Sequence, residues 1–195
     1  MAALLFIVLA YLIGSLNFAI ICCKIAGLPD PRQEGSGNPG ATNVLRFGGK
    51  KLAAIVMLGD ALKGLLPVLI ARAFNIEGLE LSVVAMAAVL GHMYPVFFRF
   101  QGGKGVATIL GAIFGLSWLV GILVIVTWLL IAKIFKYSSL ASLCSIILLP
   151  IYLLLFSDIT YIAPMIIIMI LIVYRHRKNI QRLINRTEPK IGNKK

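Results

Sequence analysis

A chain of 195 residues that is 60% apolar and only 13% charged, with a mean hydropathy of +0.97, is not a soluble globular domain. Soluble domains carry about 25% charged and about 45–50% apolar residues. The 19 Lys and Arg against 7 Asp and Glu, a net charge of +12, suit an anionic lipid surface or an anionic substrate. Nucleic acid is not an expected partner, because no soluble segment remains to read a groove.

Taken in chain order, Ala2 to Cys23 is an apolar run of 22 residues with no Lys or Arg ahead of it. It reads as a retained first span rather than a cleaved signal. Cys22, Cys23 and Cys144 sit in or beside apolar segments without metal-ligand spacing, and read as small buried hydrophobes. Leu52–Ala71 and Leu81–Phe98 supply 20 and 18 mostly apolar residues, close to the length that crosses a bilayer. Val106–Ala132 is 27 uncharged residues, readable as one tilted helix or as two broken around Gly115 and Ser117. Leu140–Phe156 and Ile159–Tyr174 form a hairpin closed by Ser157 and Asp158.

Charge decides the ambiguous stretch. With two helices there, the chain has about seven spans, and 17 of its 19 basic residues fall on one side, leaving Arg72 opposite and Lys63 inside a span. A single helix would carry the basic tail across the membrane, against the positive-inside rule. The expectation is an all-α, polytopic integral membrane protein. Its amino terminus is extracytoplasmic, its carboxy terminus cytoplasmic, and residues 1–195 form one membrane-embedded domain with a basic cytoplasmic tail over 175–195. Each half of the broken stretch would then be about 12–14 residues, short enough to need shielding by neighbouring helices.

Three polar segments fall on the cytoplasmic side. The first runs from Gly35 to Arg46 and holds Ser36, Gly37, Asn38, Gly40, Thr42 and Asn43. Asn38 followed by Pro39 suits an N-cap and first helical position, and the free N–H groups of such a terminus, with Arg46 two turns on, suit a phosphate. The second holds His92 and then Gly102, Gly103, Lys104 and Gly105 ahead of Val106. Glycines admit close backbone approach and Lys104 adds a full charge at a helix N-terminus. It is not a Walker A loop, because Phe98 stands where the leading glycine belongs and no Ser or Thr follows Lys104. His92 suits either the site or a hydrogen bond to a neighbouring helix.

The third segment, Arg175 to Ile184, is a basic amphipathic helix in which His176 and Asn179, three apart, share a face. Its bases suit anionic lipid; His176 and Asn179 suit catalysis. Asp60 and Lys63, also three apart, lie inside the second span, where each costs about 2.5–3.5 kcal/mol unless paired, and they read as a supporting pair.

With these segments in view, the sequence resembles the bacterial acyl-phosphate-dependent glycerol-3-phosphate acyltransferases, the PlsY family. The resemblance rests on SGNPGATNVLR (Ser36–Arg46), DALKG (Asp60–Gly64), GHMYPVFFRFQGGKGVAT (Gly91–Thr108) and RHRKNIQRL (Arg175–Leu183), in order across nearly the whole chain. Asn17, Gln101 and Arg186 depart from the family's proline, lysine and glycine. The resemblance implies transfer of an acyl group from acyl phosphate to the 1-hydroxyl of glycerol 3-phosphate, giving lysophosphatidate and inorganic phosphate in phospholipid synthesis.

It further implies a site at the cytoplasmic face of the inner membrane. Arg46, Lys104, His176 and Asn179 would hold the phosphates, with Ser36, Thr42 and Asn43 completing the pocket and Ser142 contributing. An acyl phosphate has a good leaving group, so no serine or cysteine nucleophile is required. Neither histidine precedes an aspartate at the spacing of the His-x4-Asp acyltransferases, since Phe97 and Gln181 stand there. No cofactor and no metal are expected, membrane lipids are the expected surroundings, and a monomer without a protein partner suffices. The competing class is a transporter for a phosphorylated solute, which would gather its polar groups at mid-membrane between repeats.

Overall fold

The computed structural model describes residues 2–192, which hold ten α-helices and no strand. The last residues of the expected basic tail, 193–195, lie outside the described residues. The expected first span is two helices, α1 (Ala2–Gly14) and α2 (Phe18–Ile25), meeting at a bend of 40°. Asn17 makes the break: its backbone is extended and its side-chain oxygen caps α2, accepting from the Ile20 N–H at 3.1 Å. A short polar residue that competes for backbone hydrogen bonds stops the helix where hydropathy alone would carry it through.

The helix expected to start at Asn38 starts later, as α3 (Ala41–Phe47), with extended Gly40 at its N-cap. The Gly40 N–H donates to the Asn38 carbonyl at 2.9 Å, so Asn38 and Pro39 form a tight turn outside the helix. Then come α4 (Gly49–Ala73) and α5 (Gly78–Met93). The expected third span to Phe98 loses its α-helical form at Met93, because Pro95 biases the residue before it away from helix; a short 3₁₀ turn, Val96–Phe98, follows.

The ambiguous stretch is broken at Ser117 into α6 (Val106–Leu116) and α7 (Trp118–Phe135), unequal halves of 11 and 18 residues. Arg72, the base expected on the opposite side from the rest, donates to the Leu116 carbonyl at 2.8 Å and so caps α6. The hairpin is α8 (Ser138–Phe156), a 3₁₀ turn (Ile159–Tyr161) and α9 (Ile162–Arg175). After a 57° bend at His176 comes α10 (Arg177–Ile184).

Contacts between chain segments define two ends of the bundle. At one, the Phe6 and Phe74 rings lie 5.3 Å apart, and Ser82 donates to Thr160 O at 3.5 Å. At the other, Lys104 meets Asn179, Ser139 meets Glu188, and the Ile191 N–H donates to Lys136 O at 2.7 Å. All three polar segments gather at this second end. Leu, Ile and Phe side chains on α1, α4, α7, α8 and α9 are exposed around the outside, as lipid-facing surfaces require.

Four helices among the described residues are long and apolar enough to cross a membrane, and the two bent pairs α1 with α2 and α9 with α10 pass as further spans. Helix α6 is about 16 Å long, half the hydrocarbon thickness. Its position explains its length. A Cβ on Gly64 would overlap Thr108 O, and one on Gly111 would overlap Ala61 O, so α6 lies backbone to backbone against the middle of α4 rather than against its start. The loop that leads into α6 is therefore recessed into the bundle, and that loop is Gly102–Gly105.

Candidate phosphate-binding site

The recessed loop is held from below. The Gly103 N–H donates to His92 O at 3.1 Å, and Gly102 packs so closely on the His92 and Met93 carbonyls that a Cβ would overlap them. Gly105 has φ +91° at the N-cap of α6, with the Met93 and Val89 side chains occupying the space a Cβ would need. Each glycine is thus required by geometry, and together they place Lys104 at a helix N-terminus inside the protein. Its Nζ donates to Asn179 Oδ1 at 2.5 Å.

Burial pushes the Lys104 ammonium down to about 8; Glu188 opposes the shift, while the charges of Arg182, Arg46 and Arg175 add to it. Three guanidiniums therefore lie within electrostatic reach of one half-buried ammonium. A bound phosphate dianion would relieve that repulsion.

His176 stands at the bend between α9 and α10 and is 3% exposed. Its Nδ1 is 2.8 Å from Ile172 O, an acceptor, which places the ring proton on Nδ1 and leaves Nε2 with a lone pair. Burial and then the Lys104 charge push this histidine down to about 4, against the opposing pull of the Ile172 carbonyl and Glu188. The imidazole is neutral at pH 7.

Asn179 is buried on α10, and its amide is used at both ends: Oδ1 accepts from Lys104, and Nδ2 donates to Glu188 Oε1 at 2.7 Å. Glu188 was not singled out in the sequence. Its carboxylate also accepts from Ser139 at 2.6 Å and from Arg182 Nε at 2.6 Å. Burial raises its carboxyl, but these hydrogen bonds outweigh burial and hold it below the usual range. Only its position as an acid in a basic tail could have marked it, since its partner Ser139 is 49 residues away.

The first polar segment packs over the loop. A Cβ on Gly103 would come within 3.0 Å of Pro39 O, and Arg46 Cδ lies beside Gly35, which has φ +58°. Asn43 is fully engaged in holding this segment: Oδ1 accepts from the Ser36 N–H at 2.8 Å, and Nδ2 donates to Pro31 O at 2.8 Å and Glu34 O at 2.9 Å. Gly37 also has a positive φ, +69°, and turns the chain toward Asn38 and Gly40. Thr42 lies in the first turn of α3, one residue from Asn43.

Ser142 is buried one turn along α8 from Ser139. Its hydroxyl donates to Ser138 O at 2.8 Å and accepts from Trp128 Nε1 at 3.1 Å. The His92 ring lies between the second span and the loop, with Nδ1 3.5 Å from Asp60 Oδ1 and Nε2 packed against Gly103. Asp60 and Lys63 are paired at 2.7 Å, and Lys63 also donates to Leu16 O at 2.6 Å, at the break between α1 and α2.

The profile of the family described as glycerol-3-phosphate acyltransferase matches residues 4–186. A glycerol-3-phosphate acyltransferase of Coxiella burnetii (strain Dugway 5J108-111) is 52% identical over 191 residues, covering 98% of this chain and 99% of its own. One of Legionella pneumophila (strain Corby) is 53% identical over 193 residues, covering 98% of this chain and 70% of its own. The crystal structure of PlsY (YgiH), an integral membrane glycerol 3-phosphate acyltransferase, in its glycerol 3-phosphate form superposes with a TM-score of 0.93. That structure is 44% identical, with 98% of this chain and 96% of that one covered. Its lysophosphatidic acid form gives 0.91 at 43% identity, with the same coverage. With Lys104, His176 and Asn179 gathered in a recess at one end of an apolar helical bundle, the chain belongs to the glycerol-3-phosphate acyltransferase family.

Proposed function

We propose that this protein transfers a fatty acyl group from acyl phosphate to the 1-hydroxyl of glycerol 3-phosphate, releasing lysophosphatidate and inorganic phosphate. The observation that carries the reading is the recessed Gly102–Gly105 loop, whose half-buried Lys104 meets Asn179 beside a neutral His176. Both substrates carry phosphates, and the surplus of positive charge around Lys104 suits two anions at once. Arg46, Lys104 and Asn179 bind them, with Ser36, Thr42 and the Gly37–Gly40 turn closing the pocket. Asn43, His92 and Asp60 with Lys63 support that pocket from behind, and Ser142 supports the α8 wall.

The bundle crosses the inner membrane seven times as a single unit, α6 completing its crossing only with the help of its neighbours. The end that holds Lys104 faces the cytoplasm, because it collects most of the Lys and Arg. The protein acts as a monomer among membrane lipids, and the acyl chain lies between helices in the bilayer.

The glycerol oxygen attacks the acyl carbonyl carbon, the bond from that carbon to the phosphate oxygen breaks, and the hydroxyl proton must find a base. Burial and the Lys104 charge hold His176 at about 4 in the free protein, and bound phosphates would raise it, whereas the departing phosphate oxygen gains basicity as its bond to the acyl carbon breaks. The departing phosphate therefore takes the proton, and His176 Nε2 accepts a hydrogen bond that orients the hydroxyl.

Substitution separates these roles. His176→Gln keeps an acceptor near the Nε2 position and is expected to retain kcat within about tenfold, whereas His176→Ala, which loses the orienting acceptor, falls about 10²-fold. A glutamine variant as inactive as the alanine variant at saturating substrate would make His176 the base. The donor is checked by supplying acyl-CoA in place of acyl phosphate to the purified protein. No lysophosphatidate is expected, and sustained turnover with acyl-CoA alone contradicts the mixed-anhydride reading.

A further inference from the structure

Arg175 ends α9, one residue before His176, and its guanidinium does not point to solvent or lipid. Nη2 donates to Gly102 O at 2.6 Å, Gly103 O at 2.8 Å and Met93 O at 3.2 Å, and Nε donates to Gly103 O at 3.1 Å. The same group lies 5.4 Å from the centre of the Tyr94 ring. One side chain from the last apolar helix thus gathers three carbonyls from the end of α5 and the loop before α6.

A trans peptide is planar, with its N–H opposed to its C=O. The Gly103 carbonyl turned toward Arg175 therefore fixes the Lys104 N–H in the opposite direction. That N–H has no protein acceptor among the described residues. Carbonyls, which repel a phosphate, are collected at the back of the loop; the Gly103 N–H is engaged by His92 O, and the Lys104 N–H is left at the front.

We propose that Arg175 is a positioning residue for the phosphate loop: it holds the Gly102 and Gly103 carbonyls away from the ligand so that the Lys104 peptide and the start of α6 present donors to it. Because the next residue is His176, the same anchor fixes the spacing between the loop and the groups on α10. This inference rests on the phosphate-site reading above.

The test is calorimetric titration of glycerol 3-phosphate into purified protein in detergent, with thermal unfolding measured alongside. Arg175→Met is expected to weaken binding at least about 30-fold, and Arg175→Lys, which keeps a charged donor, to recover part of that loss. Melting of Arg175→Lys should stay within a few degrees of the wild type. If Arg175→Met does not fold, Tyr94→Leu, which removes only the stacked ring, should still weaken binding about three- to tenfold.

Unchanged affinity in the Arg175 variants, or in Tyr94→Leu when Arg175→Met is unstable, overturns the proposal. So does lysine falling as far as methionine while its melting collapses, which would make Arg175 merely structural. A wild-type protein that binds no glycerol 3-phosphate would instead overturn the reading of the site itself.

Discussion

Replacing Lys104 by methionine is expected to lower kcat/KM by about 10³-fold, measured as lysophosphatidate formed at low glycerol 3-phosphate. Losing one preorganised donor to a developing charge costs about 10²–10³-fold, and this donor also carries a full charge in a half-buried recess. Its loss leaves Asn179 Oδ1 without its donor as well, while Glu188 still holds Nδ2, so the amide cannot turn to compensate. Lys104→Arg keeps the charge but is bulkier and should recover only part of the activity.

The wild-type pH profile carries the same signature. The free enzyme's Lys104 loses its proton near 8, so kcat/KM should fall as pH rises through that value. A bound dianion raises the lysine pKa, so kcat at saturation should hold to higher pH. The limb must disappear in Lys104→Arg, whose guanidinium stays protonated. A limb that persists there would assign the titration to another group.

The second large effect is on stability. Lys63→Met should cost about 3–5 kcal/mol, because it leaves Asp60 buried with only the His92 ring, 3.5 Å away, beside it and removes the donor to Leu16 O at the α1–α2 break. For a chain of this size that corresponds to a fall in Tm of roughly 6–20 °C. Adding Asp60→Asn removes the stranded charge and should restore more than half of the loss. A double variant that melts as low as the single one would show that packing, not the pair, sets the stability. The pair sits beneath His92 and hence beneath Gly103, so the single variant should also weaken substrate binding.

How much of this was legible in the sequence depends on how local each feature is. The break near Ser117 was readable because a single unbroken helix would have carried a tail of Lys and Arg across a membrane, a global charge argument that no local apolar count supplies. The Gly102–Gly105 loop was readable as a loop because three glycines around a lysine cannot extend an apolar helix and mark where one begins. The bend at Asn17 was not, since one asparagine in 22 mostly apolar residues barely alters hydropathy while its side chain redirects the backbone hydrogen bonds. The start of α3 was misplaced by two residues because a Gly at N-cap competes with Asn-Pro as a signal, and the Gly40–Asn38 turn decided it.

Arg175 and Glu188 were hidden for a different reason. The partners of Arg175 are backbone carbonyls 72 to 82 residues away, and Glu188 ties its near neighbours Asn179 and Arg182 to Ser139, 49 residues away; in a basic tail one arginine looks like the next. What separates Arg175 from Arg177 is what each touches: two loop carbonyls and the last carbonyl of α5 for the first, and the nearby Tyr174 ring and carbonyl for the second.

The central claim is that this recess joins an acyl phosphate to glycerol 3-phosphate. Purified protein in detergent, given both compounds without metal or CoA, should release inorganic phosphate and lysophosphatidate in a one-to-one ratio. The reaction should be lost in Lys104→Met. Phosphate release that does not depend on glycerol 3-phosphate, or an unaltered rate in that variant, would contradict it.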